Sequence, residues 1–184
     1  MKKIIRHFSI FVLSLVTGVS LFAQDYVPVD NGSAVKFSIK NFGITTTGTF
    51  SGLKGKILFN SSDVAASFFK VTIAAASIDT DIKARDSHLK KEDYFNVNNY
   101  PEISFTSTKV TASASAGSFL VTGNINIKGI VKEITFPFMV APTNDGFIFT
   151  GNFKLNRRDF NVGGNSFSLS DNLIVSLSVY AKKD

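Results

Sequence analysis

The 184-residue sequence predicts an all-β fold, an eight-stranded antiparallel up-and-down barrel with a short helical insertion between the third and fourth strands. Three observations carry that expectation. Runs in which apolar and polar residues alternate recur about eight times. Most are joined by short clusters of Gly, Asn, Asp and Ser, the chemistry of tight turns. Only one long stretch, Ser77–Phe105, breaks the alternation. Closing the strands into a barrel removes exposed sheet edges. A two-sheet sandwich is the alternative packing of the same runs.

Residues 1–23 read as a cleaved secretory signal peptide. Lys2, Lys3 and Arg6 form a basic start, Ile10–Leu21 an apolar run, and Ala23 a small residue at the cut. The run is short for a membrane span. Residues 24–184 are expected to form a single β-barrel domain, large enough to bury a core. The leader holds three cations and no acid, so the formal charge falls from +6 to +3 (6 − 3) without it. No block of like charges remains, and no nucleic-acid partner is expected. The expected location is periplasmic or secreted. With no cysteine, the chain cannot be a lipoprotein or form a disulfide.

In order, the first strand carries Val35, Phe37 and Ile39. The second runs from Ile44 through Phe50 and continues in the opposite phase with Leu53, Ile57 and Phe59, so Ser51–Gly52 marks a bulge or bend. Phe69, Val71, Ile73 and Ala75 make the third, and Ile103 and Phe105 the fourth. Phe119, Val121, Ile125 and Ile127 follow, then Ile134, Phe136, Phe138 and Val140. Phe147, Phe149, Phe153 and Leu155 precede the last strand, Leu173, Val175, Leu177, Val179 and Ala181. Turns are expected at Asn60–Asp63, Ser113–Gly117, Lys128–Gly129 and Asn144–Gly146. Inside the insertion, Asp86–Tyr94 predicts a short helix with Asp86 as N-cap and Leu89 turned to the barrel.

Lys36, Lys40, Lys54, Lys56, Lys70, Lys128 and Lys154 occupy the phase opposite to the apolar set. A soluble barrel would turn the apolar phase inward; an outer-membrane barrel would turn it toward lipid. The absence of Trp and the presence of only four Tyr leave no material for interfacial aromatic girdles, which favours the first. The candidate interior is then Phe37, Ile39, Phe50, Ile57, Phe59, Phe69, Val71, Phe105, Phe119, Val121, Ile125, Phe136, Phe138, Phe149, Phe153, Val175 and Leu177. Eight strands are about the number at which side chains either fill a barrel or leave room for one small ligand. Gly55, Gly123 and Gly151 lie in the apolar phase, where they either open a channel or mark bends needed for closure.

Arg85, Arg157 and Arg158 are the only arginines beyond the leader, and all lie in the least strand-like regions. A guanidinium fork suits a carboxylate or phosphate head group. The competing reading is loop ion pairs, with Asp86 beside Arg85 and Asp159 beside Arg158. His88 is either a head-group contact or a structural hydrogen bonder. Catalysis is poorly supplied. One histidine beyond the leader, no cysteine, no Gly-x-Ser-x-Gly elbow and no dinucleotide glycine pattern supply poor material for a triad or for a metal or cofactor site. No cofactor is expected.

Taken together, several motifs resemble the YceI-like family of periplasmic proteins. They are Ser77-Ile78-Asp79-Thr80, Arg85-Asp86-Ser87-His88-Leu89, Asp93-Tyr94-Phe95 and Tyr100-Pro101-Glu102-Ile103-Ser104-Phe105. Gly48-Thr49-Phe50, Gly123–Gly129 and Arg157-Arg158-Asp159-Phe160 add to them. The departures are local: Asn124 and Asn126 stand at more apolar or hydroxyl positions, and Val131 replaces a usual threonine. The resemblance implies a lipocalin-like extended barrel with an inserted helix. It also implies an elongated pocket for a polyisoprenoid, an isoprenoid quinone or a similar long-chain lipid. Arg85, His88 and either Arg157 or Arg158 would then meet the head group, and the lipid would bring the protein into transient contact with a membrane. A filled, ligand-free barrel is the alternative, and a lipid hydrolase or isomerase using His88 ranks behind both.

Overall fold

The alternating runs pair with their neighbours in the chain to form one antiparallel sheet that closes on itself. The computed structural model describes residues 24–115 and 117–184; the signal-peptide expectation falls on residues 1–23, outside the described residues. The strands are β1 (Gln24–Pro28), β2 (Ala34–Asn41), β3 (Ile44–Phe50), β4 (Lys54–Phe59), β5 (Phe68–Ala74), β6 (Glu102–Ala112), β7 (Ser118–Ile127), β8 (Ile130–Pro142), β9 (Gly146–Asn156) and β10 (Leu169–Lys183). One α-helix, α1 (Lys83–Leu89), lies between β5 and β6.

Eight runs become ten segments for two reasons. The run 44–59 breaks into β3 and β4 around Gly52, and a short strand, β1, precedes the first run and is parted from β2 by a break around Gly32; both glycines have positive φ. The Asp30 carboxylate ties the two breaks together, accepting from the Gly52 and Leu53 amides at 2.9 Å each. The long β10 serves both β1 and β2. Its Leu169–Ser178 stretch pairs with β2, and Ala181–Lys183 with β1. The eight-stranded ring is β1-β4-β5-β6-β7-β8-β9-β10, shut by the β1–β10 pair. At the other end the β2–β3 hairpin extends the wall, and a bridge from Thr49 to Asp79 joins it to the segment after β5. This is the closed barrel, with the short helix in the expected connection. β1 is the one strand the alternation does not announce, because five residues are too few to show a period.

The apolar phase faces inward. Lys36, Lys40, Lys54, Lys56, Lys70 and Lys154 are exposed on the outer face, while Lys128 bends over to the Asn161 carbonyl at 2.8 Å. Of the two arrangements open to the sequence, this is the one with an apolar interior. Gly55 and Gly123 answer the question of bends. A Cβ on Gly55 would strike the Lys70 carbonyl of the paired β5, and one on Gly123 would lie 2.6 Å from the Phe105 ring. Close approach of backbone and ring, rather than an opened channel, explains these glycines.

The interior has two parts. At the end where β1 begins and β10 finishes, Phe59, Phe69, Phe119, Phe138, Phe147 and Phe149 pack edge to face, with ring centroids 5.4–5.6 Å apart for the Phe59–Phe119, Phe59–Phe147, Phe69–Phe138 and Phe69–Phe149 pairs. Ile57, Val110, Val121 and Ala181 fill the spaces between them. Edge-to-face pairs add about 0.5–1.5 kcal/mol each beyond area burial. This solid floor closes one end. The other end holds the helix, the β2–β3 turn and the loop before β10.

Candidate functional site: an apolar cavity above a phenylalanine floor

Above the floor the inward side chains stand apart, leaving a cavity of about 250 Å³. Ten of the seventeen candidate interior residues line it: Phe37, Ile39, Phe50, Val71, Phe105, Ile125, Phe136, Phe153, Val175 and Leu177. The other seven, Ile57, Phe59, Phe69, Phe119, Val121, Phe138 and Phe149, belong to the floor cluster and do not reach it. The division follows position along the strands. The inward phase is apolar along most of the strands, but only one end is packed solid. Phe136 sits at the boundary, buried in the floor cluster and stacked on Phe153 with centroids 4.5 Å apart.

The lining is completed by segments that are not strands. Ile78, Leu89, Tyr94 and Phe95 come from the insertion, and Phe160 and Val162 from the loop before β10. Phe95 meets Phe50 edge-on at 5.5 Å. The loop and the insertion are tied where the Gly163 amide donates to the Asp93 carbonyl at 2.8 Å. Strand periodicity has no means of finding these residues. Their signal is an apolar side chain within an otherwise polar non-strand segment, as at Leu89.

The helix starts three residues earlier than expected and ends sooner, at Leu89. Asp86 is not its N-cap. The carboxylate turns back instead, and its Oδ1 accepts the Thr80 amide at 2.9 Å and the Thr80 hydroxyl at 2.5 Å. The helix therefore begins at Ile82 without a side-chain cap, and turns follow through Lys91–Tyr100. Thr80 also links the two charged neighbours. Arg85 Nε donates to Thr80 Oγ1 at 2.8 Å, and Nη2 donates to the Thr80 carbonyl at 2.6 Å. Arg85 thus relates to Asp86 through a shared threonine rather than by direct contact. Half-buried and lining the cavity, Arg85 keeps N–H groups beyond these two bonds that can meet a ligand.

The remaining head-group candidates separate. Arg157 lines the cavity but is only 4% exposed, and its fork is fully used. Nε bonds the Ser170 carbonyl, Nη1 the Val162 and Gly164 carbonyls, and Nη2 the Leu169 carbonyl and the Asp171 carboxylate, the last at 2.7 Å. Its acid is Asp171. Arg158 is exposed and reaches Asn165 at 3.4 Å, outside the cavity, rather than pairing with its neighbour Asp159. His88 is exposed on the helix, edge-on to Tyr94 at 4.8 Å, and does not line the cavity. Of these four candidates, only Arg85 combines access to the cavity with spare donors.

An antiparallel β-barrel, closed at one end by packed aromatics and hollow toward the other, defines the class. The chain belongs to the YceI-like family, whose domain model matches residues 26–181. A protein named YceI from Salmonella arizonae is 30% identical, with 88% of each chain covered. Among solved structures, BcnA of Burkholderia cenocepacia superposes with a TM-score of 0.75 at 25% identity, over 80% of this chain and 94% of that one. A domain from Saccharophagus degradans described as polyisoprenoid-binding gives a TM-score of 0.67, covering 89% of this chain and all of that one. At 13% identity that last likeness shows a shared fold.

Proposed function

We propose that the protein is a non-catalytic carrier that encloses the chain of a polyisoprenoid, an isoprenoid quinone or a similar long-chain lipid. The observation that carries this is the cavity itself: about 250 Å³, walled almost wholly by Phe, Ile, Leu and Val, with the Arg85 guanidinium on its lining. A filled barrel would have no such space, and an empty apolar cavity lowers stability. Each methylene buried there contributes about 0.8 kcal/mol, offset by ordering of the chain. A long lipid therefore needs few polar contacts, and one arginine fork suffices to orient an oxygen-bearing head group. The description of the Saccharophagus degradans domain names a ligand of this class. His88, turned away from the cavity, gives the hydrolase or isomerase reading no support. Cleavage after Ala23 would place the carrier in the periplasm or outside the cell, where loading and unloading require transient membrane contact.

The test is displacement of an apolar fluorescent probe by a polyprenol, a polyprenyl phosphate and an isoprenoid quinone. Wild-type protein should release the probe to at least one of them. Arg85→Ala should change the ranking among head groups while still accepting the chain. Failure of every lipid to compete would sink the carrier reading; unchanged ranking in Arg85→Ala would remove the arginine from the site.

A further inference from the structure

Three large apolar side chains at the cavity end of the barrel are at least 72% exposed. Phe42 and Ile44 belong to the β2–β3 turn and are 74% and 72% exposed; Phe167, in the loop before β10, is fully exposed. The two tips are joined, since the Phe42 amide donates to the Ser168 carbonyl at 2.8 Å and Asn41 pairs with Leu169. Asn41 and Leu169 line the cavity, so the apolar tips crown the ligand end.

Turn chemistry does not account for Phe42. With Gly43 it forms a two-residue hairpin loop, both at positive φ (50° and 77°). That geometry favours Asn, Asp or Gly at the first position, and a bulky side chain there is an outlier. An unfavourable backbone state holding an aromatic ring in water points to use of the ring outside the fold. Charge narrows the partner. The hairpin carries exposed Lys36 and Lys40 and no acid, and Phe160–Ser170 carries no charge. The acids of this end, Asp79, Asp81, Asp86, Glu92, Asp93, Asp159 and Asp171, lie on flanking segments; Asp86 is bound to Thr80, Asp171 is held by Arg157, and Lys83, Lys90 and Lys91 stand among the rest.

We propose that this crown docks the barrel on a bilayer containing anionic phospholipids, with Phe42, Ile44 and Phe167 entering the interface and Lys40 meeting the head groups. This rests on the carrier reading above and names the surface through which its cargo is exchanged. The experiment is co-sedimentation with phosphatidylcholine vesicles with and without phosphatidylglycerol, comparing wild type with the Phe42→Asn/Phe167→Ser variant. Asparagine suits the turn, so the variant should melt no lower than wild type. Wild type should bind the anionic vesicles more tightly, and the variant should lose about tenfold or more of that affinity, with probe uptake into the cavity unchanged. Wild type that ignores both vesicles, or a variant that binds as well, overturns the proposal. So does wild type that dimerises through this face while the variant stays monomeric without a vesicle effect. Probe uptake is read without vesicles, so failure of the carrier reading shows there and failure of the docking surface shows in sedimentation.

Discussion

Replacing Arg157 by alanine should unfold the loop end of the barrel rather than retune a ligand. Arg157 donates to four carbonyls and one carboxylate, all on residues 162–171. It is the internal brace of that loop. Removing one member of a buried charged pair costs about 3–5 kcal/mol. Asp171 is itself 45% exposed and can rehydrate, which puts the expected loss at the lower end, about 3 kcal/mol. For a protein of this size that lowers Tm by roughly 6–12 °C. Urea and thermal unfolding followed by far-ultraviolet circular dichroism measure it, since the chain has no tryptophan. An Arg157→Ala protein with unchanged midpoint and selectively lost lipid binding would refute the reasoning and return Arg157 to the head group.

The two-part interior predicts unequal costs for the same substitution. Phe69→Ala, in the packed floor, should cost about 3–5 kcal/mol, whereas Phe37→Ala, half-buried beside the cavity, should cost about 1–2 kcal/mol and weaken probe binding; equal losses in urea would mean that the floor is no more tightly packed than the cavity wall. Tyr26 makes stability pH-dependent on the alkaline side. Burial raises its pKa above the ordinary 10.0, so its contribution is complete below about pH 10 and lost as pH rises through the folded value. Tyr180, raised first by its hydrogen bond to Asp145, has the same sign. The urea midpoint should fall above pH 10, and Tyr26→Phe should flatten part of that fall.

The barrel was legible because a strand's period of two is a local property. Phe136 and Phe138, or Val175 and Leu177, declare the inner face by spacing alone. Which of them meet a ligand is not local. Phe59 and Phe105 have the same pattern, yet one is packed in the floor and the other lines the cavity, because that depends on how far along the barrel each lies. The polar site was read by proximity in sequence, and proximity misled. Arg158 meets Asn165 rather than its neighbour Asp159, Arg157 bonds an acid fourteen residues on, and Asp86 turns back to Thr80 instead of capping its helix. A carboxylate goes where tertiary structure leaves buried donors in need of one. Arg85 was named for its guanidinium fork; what sets it apart from Arg157, the saturation of the latter's donors, is a tertiary property. The exposed Phe42 lay in plain view as Asn41-Phe42-Gly43; its meaning needed the turn geometry.

Native mass spectrometry of the protein purified from its own host, with solvent extraction of any adduct, tests the central claim most directly. The cavity predicts a discrete apolar adduct, removable by solvent and restored by adding an isoprenoid. A bare mass that no isoprenoid or quinone shifts would contradict the carrier account and leave the barrel a structural module.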